Sequence, residues 1–219
     1  MEPLPDAVLF DCDGTLADTE PISARSWADV LGPRGYQLTD EDIRAVLGHP
    51  YRRSFAHFSR RVELGEPKSF AAELRASFQA RMAEELTLHQ DAVGSLRAMA
   101  RAGVPIAVVS SSSRAHVERV LAHDGLGGLV TVIVGADDVE EHKPHPLPYQ
   151  RAAWLLGVAT ERCSVVEDSE VGVAAGVAAG CFVVGVDRGI HDAAALVAAD
   201  RVVTTLTTHA LIPPQDVRA

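Results

Sequence analysis

Short apolar runs without polar alternation recur along the chain, and helical patterns separate them. The first is Ala7-Val8-Leu9-Phe10, too short for a helix and bounded by Pro5 and the acidic Asp11-Cys12-Asp13-Gly14. A strand that is apolar at every position is covered on both faces, which is the condition of a parallel sheet layered between helices. Val104–Val109 repeats the form after Gly103, which reads as the stop of a helix over Ala92–Ala102. Leu129–Val134, Ser164–Val166 and Phe182–Val186 are further strand candidates, with Val202–Leu206 as an edge-like last one. Helical stretches are expected over Arg114–His123, over Pro148–Leu156 ending at Gly157, and over Val171–Ala179 ending at Gly180. The fold class is therefore α/β, with a parallel sheet.

Residues 20–88 break this rhythm, since no strand-like run occurs there. Thr39-Asp40-Glu41-Asp42 reads as an N-cap followed by an acidic first turn. Phe70, Leu74, Phe78, Met82 and Leu86 recur every four residues and form one helix stripe, read as a packing seam. A length of 219 residues accommodates one medium domain carrying such an all-helical insert. Charge divides the same way. Residues 20–88 hold ten basic and ten acidic side chains, and the remainder holds ten basic and twenty acidic. The formal net charge of −10 argues against nucleic acid or an anionic membrane surface as partner. The longest uncharged run, Val171–Val186, is too short to span a bilayer. Met1–Asp6 has neither a basic nor a long apolar signal segment. Cys12, Cys163 and Cys181 are widely spaced and odd in number, so buried reduced thiols in a cytoplasmic protein are expected.

Four constellations carry chemistry. Asp11-Cys12-Asp13-Gly14-Thr15 follows the first strand directly, where α/β sheets bind ligands. Alternation on an extended chain puts Asp11 and Asp13 on one side, and two carboxylates this close require a cation or a shared proton. Glu167-Asp168 follows another strand and precedes a Gly-rich helix, a pattern suited to a hard divalent ion. Ser110-Ser111-Ser112-Ser113 follows the strand ending at Val109, where hydroxyls and helix-start N–H groups make an anion site, and Ser112 or Ser113 reads as the cap. Lys143, in His142-Lys143-Pro144, is one of two lysines in the chain and the one outside residues 20–88.

In this order, DxDGT, serine, Lys-Pro and Glu-Asp resemble the haloacid dehalogenase superfamily. Residues 4–19 and about 90–207 resemble its Rossmann-like core. Residues 20–88 resemble the helical cap inserted in its phosphoglycolate phosphatase and β-phosphoglucomutase branch. The resemblance implies a catalytic core over 1–19 and 89–219 and a cap over 20–88. It implies Asp11 as the nucleophile that forms an aspartyl-phosphate, and Asp13 as general acid and then base. Mg²⁺ would be held by Asp11, the Asp13 main-chain carbonyl, Asp168 and, directly or through water, Glu167. Ser110, Ser111 and Lys143 would hold phosphoryl oxygens. Crowding by Asp11, Glu167 and Asp168 is expected to raise the Asp13 pKa.

The presence of Asp13 disfavours the dehalogenase branch. The cap's one lysine, Lys68, reads as a helix start, which disfavours Schiff-base chemistry. Ser23 stands where the mutase has its cap histidine. Leu47-Gly48-His49-Pro50-Tyr51-Arg52 lacks the mutase loop's lysine and carries the arginine one position late. The implied activity is a Mg²⁺-dependent phosphatase acting on a small sugar or sugar-acid phosphate. A β-phosphoglucomutase-type isomerase and a non-catalytic binding protein are the alternatives. His49 and Arg52 are the cap candidates for specificity, and Trp27 and Tyr51 read as cap packing. A monomer or weak homodimer is expected.

Overall fold

The computed structural model describes residues 3–46, 51–189 and 193–214. Its sheet has six strands, all parallel: β1 (Ala7–Phe10), β2 (Ile106–Val109), β3 (Val132–Val134), β4 (Cys163–Glu167), β5 (Phe182–Val186) and β6 (Arg201–Val203). Their order is β3-β2-β1-β4-β5-β6, so the chain reverses direction of travel between β1 and β4. Parallel sheets open a ligand crevice at the carboxyl ends of the strands at such a point. Every residue of β1, β2, β4 and β5 is buried, as unalternated runs require.

The helices that accompany this sheet are α5 (Gln90–Arg101), α6 (Arg114–His123), α7 (Leu147–Leu156) and α8 (Glu170–Ala178), numbered after four helices nearer the N-terminus. Ala7, Leu9, Ala107, Val109, Val165 and Val183 form one buried cluster with Tyr149, Ala152 and Ala153 of α7 and Val173 and Ala175 of α8. Alternation sends Val8, Phe10, Ile106 and Val108 to the opposite face, where each is also fully buried.

Three strands are shorter than their apolar runs. Val104 does not extend β2, because its N–H bonds back to Met99 O and closes the end of α5. Gly127–Leu129 forms a 3-10 turn ahead of β3. Leu206 lies beyond β6 and donates its N–H to Asp91 Oδ2. β6 is an edge strand, as its sequence suggested.

The chain divides into two compact units, one comprising Met1–Ala17 and Leu88–Ala219, the other Asp18–Thr87. The second contains α1 (Glu20–Leu31), α2 (Asp40–Val46), α3 (Tyr51–Phe58) and α4 (Pro67–Glu85), with no strand among its described residues. Thr39 and Asp42 form a reciprocal cap on α2: Asp42 N donates to Thr39 Oγ1 at 3.2 Å, and Thr39 N donates to Asp42 Oδ2 at 3.1 Å. The aromatic core is built on Trp27, whose ring lies 4.9 Å from Phe58 and 5.6 Å from Phe70. Tyr51 stacks on Trp27 at 6.3 Å, so both serve packing. Phe70, Met82 and Leu86 of the four-residue stripe are buried, and Leu74 and Phe78 are half-buried.

Candidate active site

The site forms where the carboxyl ends of β1, β2 and β4 meet. Parallel register places Phe10 beside Val108 on one side and Val166 on the other. Asp11 and Glu167 come next on their strands, and Ser110 follows one residue later after Val109, so all three emerge at one edge. Asp11 N donates to Val166 O at 2.9 Å, which prolongs the ladder by one bond. Gly14 then turns the chain with φ of +83°, and a Cβ there would overlap the Asp168 carboxylate. Thr15, fully buried, donates its hydroxyl to Asp168 Oδ1 at 3.2 Å.

Lys143 reaches into this edge from the loop before α7. Its side chain is 3% exposed. The ammonium donates at 2.6 Å to Asp11 Oδ1, at 2.6 Å to Glu167 Oε1 and at 2.9 Å to Val109 O. All three ammonium donors are thereby used. Burial raises the Asp11 carboxyl and the Glu167 charge adds to the rise, while Lys143 opposes both. Burial works against the charged form of Lys143, but its two carboxylates outweigh that and hold it up. With both groups ionised, two carboxylates would share one buried cation and the local balance would be one positive charge short, a state that the Asp11 pKa, raised to about 8, disfavours until a further cation is supplied.

Glu167 is more fully occupied than its sequence position suggested. Tyr149 Oη donates to Oε1 at 2.6 Å, alongside Lys143. Oε2 accepts from Ser169 Oγ at 3.0 Å, Asp168 N at 3.2 Å and Ser169 N at 3.3 Å, at the start of α8. A Cβ at Gly172 would overlap this carboxylate, so the helix start closes on it only because residue 172 has none.

Asp13 faces another set of donors. Ser112 Oγ donates to its Oδ2 at 2.8 Å and Ser110 Oγ to the same oxygen at 3.3 Å. His116 Nε2 lies 2.7 Å from Oδ1. Burial would raise this carboxyl, but bonds from His116, Ser112 and Ser110 prevail and hold it below its ordinary value. The expected rise by acidic crowding is therefore corrected: the neighbours that bond Asp13 are hydroxyls and a histidine. Ser113 occupies the N-cap position of α6 with no side-chain cap bond, and Ser112 turns to Asp13 rather than to the helix. Ser111 is exposed.

One oxygen each from Asp11, Glu167 and Asp168 lies within 4.8 Å of the others, and all three residues are buried. An oxygen-only donor set of three buried carboxyl groups fits a hard divalent cation such as Mg²⁺, which would favour the ionised form of Asp11.

Sequence reasoning missed three participants. His116 enters from the first turn of α6, signalled only by that helix starting just after β2. Tyr149 holds a comparable place on α7. Arg188 follows β5 at the same edge, pairs with Asp91 at 2.8 and 3.1 Å, and donates to Thr15 O at 3.2 Å. Arg52 is exposed on α3, and His49 lies outside the described residues. Cys12, Cys163 and Cys181 are free and buried. No described helix is long and apolar enough to cross a membrane.

The family model described as haloacid dehalogenase-like hydrolase matches residues 8–186. The validoxylamine A 7'-phosphate phosphatase of Streptomyces hygroscopicus subsp. limoneus is 34% identical over 208 residues, covering 91% of this chain and 93% of its own. Hexitol phosphatase A of Escherichia coli (strain K12) is 36% identical over 188 residues, covering 82% of each chain. A crystal structure of a HAD family hydrolase from Deinococcus radiodurans R1, with bound phosphate and sodium, superimposes with a TM-score of 0.78 at 38% identity. It covers 95% of this chain and 93% of that one.

Proposed function

The chain belongs to the haloacid dehalogenase-like hydrolase family, and from that premise we propose that it is a divalent-cation-dependent phosphatase of a small sugar or sugar-acid phosphate, acting through an aspartyl-phosphate on Asp11. The observation that carries this reading is the buried contact of Lys143 with both Asp11 and Glu167, each at 2.6 Å. It holds a carboxylate oxygen and a fixed positive charge at the open edge of the sheet.

An Asp11 oxygen attacks phosphorus, the ester P–O bond breaks, and the departing oxygen takes the proton carried by Asp13. Asp13 then removes a proton from water, whose oxygen attacks the phosphorus of the aspartyl-phosphate and frees the Asp11 carboxylate and inorganic phosphate. Phosphoryl transfer depends on alignment and on neutralising charge spread over three oxygens. Lys143 supplies such charge, and Ser110 can turn its hydroxyl from Asp13 to a phosphoryl oxygen. The arrangement described above is the base form of Asp13. To act as acid it must take up a proton and leave the donors of Ser112 and His116.

Mg²⁺, held by Asp11 and Asp168, would neutralise the transferring phosphoryl group. The saturated oxygens of Glu167 support a different part for that residue, fixing Lys143 and the start of α8. Arg52 remains the candidate for recognising a substrate carboxylate or second phosphate.

The reading is tested by phosphate release from a panel of sugar and sugar-acid phosphates, with β-glucose 1-phosphate included. Release that depends on Mg²⁺ supports it. Conversion of β-glucose 1-phosphate to glucose 6-phosphate without net phosphate would replace it with isomerisation.

A further inference from the structure

Beside the oxygen-only cluster stands a second group of donors with different chemistry. One donor atom each from Cys12, Asp13 and His116 lies within 4.8 Å of the others. Cys12 directly follows the nucleophile position past β1, and His116 comes from the first turn of α6. Two of the three groups already converge, since His116 Nε2 lies 2.7 Å from Asp13 Oδ1. Ser110 and Ser112 occupy the other Asp13 oxygen. Cys12 is fully buried, whereas the Asp13 side chain is 29% exposed and opens the cluster to solvent.

We propose that Cys12, Asp13 and His116 form a binding site for a thiophilic divalent cation of the zinc type, separate from the oxygen cluster of Asp11, Glu167 and Asp168. A thiolate, an imidazole and a carboxylate are the three donor types zinc accepts, and three protein ligands leave a fourth position for water. Hard Mg²⁺ prefers the all-oxygen cluster, so the two ions are sorted by donor chemistry. Binding requires the thiol proton to leave to solvent as the sulfur–metal bond forms, and the His116–Asp13 hydrogen bond gives way to two metal bonds. The coordination stands on this geometry alone. Its consequence, inhibition by withdrawal of the Asp13 carboxylate, rests on the catalytic role proposed for Asp13 above.

Cobalt(II) serves as the spectroscopic stand-in for zinc, added to the full chain in excess Mg²⁺. The site predicts a near-ultraviolet thiolate-to-cobalt charge-transfer band that zinc displaces. The band should be lost in Cys12→Ser, weakened in His116→Gln and retained in Cys163→Ser. Zinc should also inhibit Mg²⁺-supported turnover of p-nitrophenyl phosphate. Cys12→Ser, active without zinc, should raise the half-inhibiting zinc concentration by about tenfold or more. Absence of the band in the native chain, or its persistence in Cys12→Ser, overturns the site. A band formed without inhibition upholds the site and overturns the role of Asp13. A native chain with no turnover in Mg²⁺ counts against the phosphatase reading, and the band still decides the site.

Discussion

Tyr149 Oη and Lys143 Nζ meet on one oxygen of Glu167, each at 2.6 Å, and the ammonium lies 4.9 Å from the centre of the Tyr149 ring. A buried lysine is thereby held by two carboxylates, the Val109 carbonyl and an aromatic face. Removing the ammonium leaves Asp11 and Glu167 buried without their cation. Lys143→Met should lower stability in EDTA by about 3 kcal/mol, the scale of breaking a buried pair from one side. Turnover should fall by roughly a hundredfold or more, as for other groups that stabilise transition-state charge. Urea denaturation and steady-state kinetics check the two parts.

Glu167 and Asp168 are adjacent in sequence but differ in what already occupies their oxygens. Asp168→Asn should raise the Mg²⁺ concentration for half-maximal activity by about tenfold or more. Glu167→Gln should raise it less and lower stability more, because it weakens a fixed Lys143 contact. Mg²⁺ titrations with thermal melts of both variants measure the difference. Equal shifts in Mg²⁺ requirement would argue for direct ligation by Glu167.

Gly14→Ala combines a left-handed backbone with an overlap on Asp168. Gly35 has a similar φ of +79° but open space where its Cβ would stand. The backbone cost alone is about 1–2 kcal/mol. Gly35→Ala should show that cost with activity retained. Gly14→Ala should cost more and lose most of its activity, read from denaturation and phosphate release.

In the helical unit, the Asp42 side chain is 4% exposed and accepts from His57 Nε2 at 2.7 Å, Thr39 Oγ1 at 2.8 Å and Tyr36 Oη at 2.9 Å. Burial alone would raise this carboxyl, but the hydrogen bonds prevail and hold it at about 2, below its ordinary 3.8. A depressed carboxyl contributes stability that is present above the ordinary value and lost as pH falls through the folded one. Thermal melts should show the native chain losing stability between about pH 4 and pH 2, with a smaller loss in Asp42→Asn.

Much of this was legible in the sequence. β1, β5 and α6 have the bounds their patterns suggested, because an apolar run or a helical face decides each of them locally. The run from Val104 was longer than its strand because its first N–H serves the end of α5, a choice made by the helix. The chemistry-bearing residues were legible as strand-end residues, since parallel register brings Asp11, Ser110 and Glu167 to one edge. The direction in which Asp13 turns was not. It is set by Ser112 and His116, about a hundred residues away and brought near only when α6 docks. Arg188 and Tyr149 escaped notice for the same reason: nothing in their neighbouring residues reports the carboxylates they meet.

In the proposed chemistry the Asp11 carboxylate is the attacking group. The most direct test of that role is turnover of p-nitrophenyl phosphate by Asp11→Asn in Mg²⁺, with a thermal melt to show that the variant is folded. The variant should stay folded while its rate falls by roughly a thousandfold or more, as when a covalent nucleophile is removed. A folded Asp11→Asn variant that keeps near-native turnover would contradict that role.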